Sequence, residues 1–205
     1  GELPASGAND VEAAVAAAAE AFPGWSGLPM AGRAAVLTKA AAAIEARVED
    51  MAQDMTLEMG KPLREARMEA ARTAAIFRYF AGEAWRPVGE LYEQSANGQP
   101  VHTIRRPIGV VGLITPWNFP AAIPAWKAAP ALIYGNTVVM KLAQEAPLTG
   151  LHLAACLEEG GLPPGVLNVV IGRGSAVCTP LAEHPQVKAV SFTGSVAVGH
   201  EVRDR

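Results

Sequence analysis

Residues 108–120 read IGVVGLITPWNFP, and the two halves of this stretch have opposite characters. The first half is a short apolar run rich in β-branched residues, which suits a strand buried on both faces. In the second half, Thr115–Pro120, the closely spaced Pro116 and Pro120 prevent a strand or a helix from continuing easily. The stretch therefore predicts a buried strand that ends in a rigid loop. In open α/β sheets, that end of a strand is where ligands bind.

Three more short apolar runs follow this stretch, and the segments between them have the apolar spacing of helices. Strands that alternate with helices predict a parallel sheet with right-handed crossovers. We therefore expect an α/β fold with a doubly wound, Rossmann-like parallel sheet. The further strands are predicted at 137–141, 167–171 and 188–192, and the helices at 120–134, 147–159, 176–183 and from 196 onward.

The residues before the sheet are predicted to be helical as far as residue 84. Apolar residues recur there at three- and four-residue spacing, which is typical of buried helix faces. The second of these helices is predicted to leave Arg33 outside its apolar stripe, and Pro23-Gly24 is predicted to end the first. The helices are placed at about 10–22, 31–54 and 62–84.

Residues 85–107 change character, because Asn97-Gly98 lies between two extended-looking runs and signals a β-hairpin. Such a hairpin is either an arm that packs on another subunit or a simple surface hairpin. The chain is accordingly divided into a helical part (1–84), a hairpin arm (85–107) and a βαβ core (108–205).

Composition excludes several classes of protein. Half of the 205 residues are hydrophobic and the net charge is −3, so a sizeable core is expected and no nucleic-acid or membrane partner is indicated. No apolar run approaches the roughly 20 residues of a membrane span, and the first ten residues lack the regions of a secretory signal. Cys156 and Cys178 make no disulfide framework, so they are expected to be buried small hydrophobes in a cytoplasmic protein. The four histidines show no metal-ligand spacing, and no metal is assigned.

The clearest indication of phosphate binding follows the last predicted strand, where residues 194–199 read GSVAVG. Glycines let the backbone approach a ligand, and a helix N-terminus offers free N–H groups to an anion. A Walker A loop and a GxGxxG fingerprint are both absent, and a glycine-pair turn is equally consistent with simple helix capping. Lys141 could reach a ribose or a phosphate, although a lysine after a strand is more often merely exposed. The four strand ends together, each followed by polar or glycine residues, indicate a ligand site more strongly than any one of them does.

Five motifs resemble those of the aldehyde dehydrogenase superfamily, in that family's order and spacing. The resemblance covers essentially the whole chain. It implies NAD- or NADP-dependent oxidation of a small aldehyde to a carboxylic acid, through a cysteine thiolate and a glutamate-activated water, in a homodimer or homotetramer. The motifs are PIGVVG at 107–112, ITPWNFP at 114–120, GNTVVMK at 135–141, PPGVLN at 163–168 and SFTGS at 191–195.

The resemblance also implies roles for individual residues. Asn118 matches the family's asparagine, whose amide donates to an oxyanion that exists only in the transition state. On the residues alone, Asn118 is more simply a turn residue between prolines. Lys141 matches a lysine that holds the adenosine ribose. The other cofactor contacts that the resemblance implies are Ile114, Thr115, Pro116, Trp117, Gln144, Gly174, Phe192, Thr193, Gly194, Ser195 and Val198.

Two departures from the family pattern carry predictions. Where the family usually has Lys-Pro-Ala-Glu, this chain has Lys141-Leu-Ala-Gln144. A neutral Gln144 does not repel a 2′-phosphate while Lys141 attracts it, so NADP is predicted to be accepted or preferred. The family's catalytic cysteine and glutamate match no residue of this chain. It is therefore predicted to be an incomplete NAD(P)-binding domain that lacks the catalytic domain and is inactive alone.

Two functions stay open. One is the N-terminal part of an aldehyde dehydrogenase, and IGRGS at 171–175 is most similar to the branch that acts on dicarboxylic semialdehydes. The other is a non-catalytic dinucleotide-binding or interaction module derived from the same fold. A naturally short chain should place charges on its exposed sheet edge. Residues 188–192 show little such adaptation, which favours the dehydrogenase.

Overall fold

The computed structural model describes residues 3–92 and 98–205, so Asn97 of the predicted hairpin turn lies outside the described residues. Within these ranges the chain begins with four helices, a 3₁₀ turn at Gly82–Trp85 follows the fourth, and strands and helices alternate from Val110 onward. The helices are α1 (Ala8–Gly27), α2 (Met30–Ala46), α3 (Val48–Met59), α4 (Leu63–Ala81), α5 (Ala122–Ile133), α6 (Pro147–Glu159), α7 (Gly174–Glu183) and α8 (Val196–Arg203). The strands are β1 (Leu91–Tyr92), β2 (Val101–His102), β3 (Val110–Ile114), β4 (Thr137–Leu142), β5 (Leu167–Ile171) and β6 (Val187–Phe192).

The four longer strands form one parallel sheet in the order β5-β4-β3-β6. Alternate residues of β3 enter two separate hydrophobic clusters, because successive side chains of a strand point to opposite faces. Val111 and Leu113 join the cluster under α2, α4, α5 and α6, whereas Val110 and Ile114 join the cluster under α1 and α7. Helices therefore cover both faces, and the predicted doubly wound α/β fold is confirmed.

The first helix continues past the predicted breaker, so the prediction that Pro23-Gly24 ends it is wrong. Pro23 lies inside α1, which runs to Gly27. Trp25, in the last turn, is 1% exposed, and its indole Nε1 donates to the carbonyl oxygen of Leu132 at 3.1 Å. This long-range packing holds the last turn although the proline removes one helical hydrogen bond.

The single helix predicted at 31–54 is two helices, which meet at Arg47 (φ −111°, ψ 14°). No glycine or proline marks the break, but the Arg47 guanidinium contacts the Glu159 carboxylate of α6 at 2.6 Å. The placement of Arg33 outside the apolar stripe is also wrong, since it is only 8% exposed. Its guanidinium donates to the carbonyl oxygens of Ile133 (2.8 Å) and Ser26 (3.2 Å), so carbonyls near two helix ends compensate for its burial.

The predicted hairpin is a two-stranded antiparallel ribbon in which Leu91 faces His102 and Tyr92 faces Val101. All four of these residues are exposed. Among the described residues, no helix combines the length and the apolar character needed to cross a membrane.

Candidate functional site

Three parallel strands end side by side at the carboxyl edge of the sheet. Ile114 at the end of β3 pairs with Lys141 of β4 and with Phe192 of β6. A cleft of about 520 Å³ opens at this edge, within the range of about 300–1,000 Å³ that is common for small-molecule sites. Twelve of the thirteen residues predicted for the site line it: Ile114, Thr115, Pro116, Trp117, Asn118, Lys141, Gly174, Phe192, Thr193, Gly194, Ser195 and Val198.

The remaining predicted residue, Gln144, is exposed and does not line the cleft. Its two neighbours, Ala143 and Glu145, line the cleft instead. The sequence offered a carboxylate at position 145, but the direction of a loop after a strand is not encoded in strand periodicity. A negative charge is therefore present in this part of the cleft, one residue away from the position that the resemblance indicated.

The loop from Thr115 to Pro120, which we call the site loop, begins where β3 leaves the sheet. Both the backbone N–H and the hydroxyl of Thr115 donate to the carbonyl oxygen of Lys141, at 3.2 Å each. Thr115 is 3% exposed, whereas Trp117 and Phe119 are 50% and 42% exposed. The loop is therefore anchored at its start and displays its aromatic residues on the surface.

Two helix N-termini lie against the cleft. The Ser195 hydroxyl caps α8 by accepting from the backbone N–H of Val198 at 3.4 Å. The first residue of α7, Gly174, also lines the cleft, and no side chain caps that helix. A Cβ on Gly174 would meet no atom within 4 Å, so its backbone is accessible. Helix N-termini carry partial positive charge and free N–H groups, which bind phosphates well.

The chemistry of the lining residues fits an anionic dinucleotide. Lys141 supplies a cation beside the two helix N-termini, while Ile114, Pro116 and Phe192 supply apolar surface for a ring. Gly194 has a packing role in this wall, because a Cβ there would lie 2.6 Å from Cζ of Phe192. Phosphates and aromatic rings are the two features of NAD and NADP that such a site must accommodate.

A buried ion pair that the sequence analysis missed supports the site loop from below. Lys61, in the segment between α3 and α4, pairs with Glu69 of α4 and donates to the backbone carbonyl oxygen of Asn118 at 2.8 Å. The Glu69 carboxylate accepts from the backbone N–H groups of Ala121 and Ala122. The available signal was a glutamate beside the apolar stripe of α4, a position that usually requires a charged partner.

Burial also perturbs two titratable groups near the cleft. Cys178 lines the cleft, is 6% exposed and has a thiol pKa raised by burial, which the charge of Lys141 partly opposes. The prediction that both cysteines are buried is confirmed. The Lys127 ammonium donates to the Ser191 hydroxyl at 2.7 Å, and burial lowers its pKa. Within the described ranges, no group of three or more His, Cys, Asp or Glu side chains is arranged to hold a metal ion.

A doubly wound parallel sheet with a cleft at its carboxyl edge, beside two helix N-termini, is typical of nucleotide-binding α/β proteins. The sequence profile of the aldehyde dehydrogenase family matches residues 1–205. The chain therefore belongs to the aldehyde dehydrogenase family.

Individual relatives agree with this assignment. The chain is 52% identical to the alpha-ketoglutaric semialdehyde dehydrogenase of Bacillus subtilis (strain 168), an alignment that covers 97% of this chain and 41% of that protein. It is similar to PnpE solved in complex with nicotinamide adenine dinucleotide (TM-score 0.94, 44% identity, 98% and 41% covered). It is also similar to an E. coli NADP-dependent enzyme (TM-score 0.97, 40% identity, 100% and 42% covered). The chain thus spans about two fifths of the length of these relatives.

Proposed function

We propose that the protein carrying this chain oxidises an aldehyde to a carboxylic acid with NAD or NADP as the oxidant. In the balanced reaction the aldehyde carbon loses a hydride, water supplies the second oxygen, and one proton is released beside the acid. The observation that supports this most strongly is the convergence of twelve predicted site residues on one cleft. The bound dinucleotide supplies the hydride acceptor.

The residues of this chain bind the dinucleotide and stabilise developing charge. Lys141 and the N-termini of α7 and α8 hold the anionic and hydroxyl-bearing parts of the cofactor. Pro116 and Trp117 form a wall of the cleft. The side-chain amide of Asn118 donates to the aldehyde oxygen as that oxygen becomes negative, which lowers the barrier because the donor is already in place.

We propose that these 205 residues are an incomplete cofactor-binding domain, and that the nucleophilic cysteine and the water-activating glutamate lie elsewhere in the whole protein. The two cysteines present are poorly suited to attack an aldehyde. Cys156 and Cys178 are buried, and burial raises the pKa of both thiols, so little reactive thiolate forms near neutral pH. The chain alone is expected to bind dinucleotide without turning over aldehyde.

For the substrate, we propose the semialdehyde of a dicarboxylic acid. The support is the 52% identity to the Bacillus enzyme named for alpha-ketoglutaric semialdehyde. The test compares the whole protein's kcat/KM for this semialdehyde with that for an uncharged aliphatic aldehyde of similar length. A preference for the uncharged aldehyde would contradict the substrate class and leave aldehyde oxidation itself intact.

For the cofactor, we propose that both NAD and NADP bind, with NADP accepted because Lys141 lines the cleft and attracts a 2′-phosphate. The carboxylate that lines the cleft, Glu145, is exposed, and water and salt weaken its repulsion of a 2′-phosphate. A binding titration followed by protein fluorescence measures both dissociation constants directly. Much tighter binding of NAD than of NADP would contradict the proposal.

We also propose that the whole protein is a homodimer or homotetramer whose ribbon β1–β2 packs on another subunit. An isolated two-stranded ribbon is at best marginally stable in water, and this one exposes 75% of Leu91 and 54% of nearby Ile104. Light scattering after gel filtration tests the assembly, and a strictly monomeric protein would contradict it. Both cysteines are free, which supports a reducing compartment such as the cytoplasm.

The first experiment measures the intact mass of the natural protein and its aldehyde-dependent production of reduced nicotinamide. A mass well above 21.4 kDa together with turnover supports the proposal. A protein of 21.4 kDa that binds dinucleotide without turnover would instead be the non-catalytic module derived from this fold.

A further inference from the structure

Two opposite charges are buried beneath the site loop, away from the cleft lining. The side chains of Lys61 and Glu69 are 9% and 3% exposed, and they form a direct ion pair. Burying such a pair removes both groups from water, and an apolar pair of similar volume is often at least as stable. Global stability alone therefore does not account for the use of charges at these two positions.

The Lys61 ammonium bridges Glu69 of α4 and the site loop. One hydrogen bond goes to Glu69, and a second goes to the backbone carbonyl oxygen of Asn118 at 2.8 Å. The ammonium also lies 4.2 Å from the centre of the Phe119 ring, a favourable cation–π distance. Lys61 thus contacts two successive residues in the middle of the loop.

The Glu69 carboxylate fixes the far end of the same loop. Its Oε1 atom accepts from the backbone N–H groups of Ala121 (3.0 Å) and Ala122 (3.1 Å), where α5 begins. Helix N-termini are stabilised by a carboxylate that satisfies their free N–H groups. The other oxygen of the same carboxylate binds Lys61, so one side chain links the start of α5 to the middle of the loop.

We propose that Lys61 and Glu69 are positioning residues that hold the backbone of Asn118, and so aim its side-chain amide into the cleft. This inference rests on the proposed function of Asn118 as the donor to the substrate oxygen. The neighbouring side chains of Trp117 and Phe119 are about half exposed, so the loop has limited apolar packing of its own. Without the pair, the backbone of the loop relaxes and the amide loses its alignment.

The first test substitutes Lys61→Met in the whole enzyme and separates kcat from KM. The kcat is expected to fall by about 10- to 100-fold, because small misplacements of a catalytic group have effects of this size. The KM for the dinucleotide should change by less than about 3-fold, since Lys61 is absent from the cleft lining. The matched control is Arg67→Met, which removes the exposed pair between Arg67 of α4 and Glu49 of α3 without touching the loop.

The double variant Lys61→Met/Glu69→Gln distinguishes positioning from a purely structural role. It leaves no unpaired buried charge, and the glutamine oxygen can still accept from the N–H groups of α5, so the melting temperature should recover toward that of the wild type. The contact to the Asn118 carbonyl remains absent, so kcat should stay low. If kcat recovers together with the melting temperature, the pair only stabilises the fold and the inference is overturned.

A spectroscopic measurement on the same variants does not depend on activity. In protein labelled with 5-fluorotryptophan, the ¹⁹F signal of Trp117, assigned through Trp117→Phe, should shift or broaden in both Lys61→Met variants and stay fixed in Arg67→Met. The signal of buried Trp25 should not move. If the wild-type enzyme is active and the Trp117 signal is unchanged in these variants, the positioning role is overturned. If the wild-type enzyme oxidises no aldehyde, the proposed function is overturned instead.

Discussion

Strands β3 and β6 both contribute residues to the cleft, but they differ strongly in how deeply they are buried. All five residues of β3 are buried, whereas none of the six residues of β6 is buried. The helix that follows β6, α8, likewise contains no buried residue, and within the described residues β6 pairs with one strand, β3. The cleft thus has one wall built into the core and one wall near the surface of the described chain.

This difference divides the tasks of the site between the two walls. The wall formed by β3 and the site loop carries Asn118, whose proposed role as a donor to the substrate oxygen requires accurate alignment, and two buried charges support this wall. The wall formed by β6 and α8 carries glycines and backbone N–H groups, which tolerate small movements because a helix N-terminus attracts anions over its whole first turn. We therefore expect substitutions on the first wall to affect kcat and substitutions on the second to affect cofactor binding.

The largest effect is expected for Asn118→Ala in the whole enzyme. Loss of one donor to an oxyanion typically lowers kcat by about 10²- to 10³-fold, and the KM for the dinucleotide should be nearly unchanged. Steady-state formation of reduced nicotinamide measures both constants. Asn118→Asp is a second variant of the same shape, and its ionised carboxylate cannot donate a hydrogen bond. Wild-type turnover in Asn118→Asp would exclude the donor role.

The same deletion on the two strands should have unequal effects on stability. Val110 of β3 is 3% exposed and belongs to the hydrophobic cluster against which half-buried Val190 of β6 packs. Val110→Ala should lower the free energy of unfolding by roughly 2–3 kcal/mol and Val190→Ala by about 1 kcal/mol, because the loss scales with burial and with the cavity created. Urea denaturation of each variant measures the difference. Equal losses would mean that the two walls are equally well packed.

A smaller effect is expected for Ser195→Ala, which removes the cap of α8. Loss of a capping hydroxyl costs about 1 kcal/mol, and here the cost should appear locally, as faster hydrogen exchange of the amides of α8. The dissociation constant of the dinucleotide should rise several-fold while kcat changes little. Ser175→Ala on α7, whose hydroxyl makes no cap, is the control. A fall in kcat without weaker binding would contradict the division of tasks.

The sequence was sufficient for the parts of the site that depend on local pattern. Short apolar runs predicted the positions of all four strands of the parallel sheet. The rule that ligands bind at the carboxyl edge predicted that Lys141 and Ser195 lie in one cleft with the residues of the site loop, as they do. Gln144 lies off the cleft, whereas its neighbours Ala143 and Glu145 in the loop after β4 line it. The hydrophobic periodicity of the strand does not predict which residues of the following loop face the cleft.

What the sequence could not predict are contacts between polar groups far apart in the chain. The burial of Arg33 is compensated by backbone carbonyls that include those of Ser26 and Ile133, and Lys61 contacts Asn118, 57 residues away in the chain. A prediction from hydrophobic periodicity assigns such residues to the surface, because charged side chains are usually exposed to solvent. Their burial becomes understandable only when the partners that satisfy them are known.

The smallest predicted effect concerns Lys127, which lies on α5 beneath the first wall and bonds to Ser191 of the second. Burial lowers its pKa below the ordinary value of 10.5. The unfolded chain therefore binds a proton more readily, and the contribution of Lys127 to stability rises with pH between its lowered pKa and 10.5. Lys127→Met should flatten this alkaline rise in the free energy of unfolding, measured by urea denaturation across that window. Lys39→Met on α2, whose side chain is exposed, should leave the rise intact. An unchanged slope in Lys127→Met would mean that the Lys127 ammonium is effectively solvated in the folded protein.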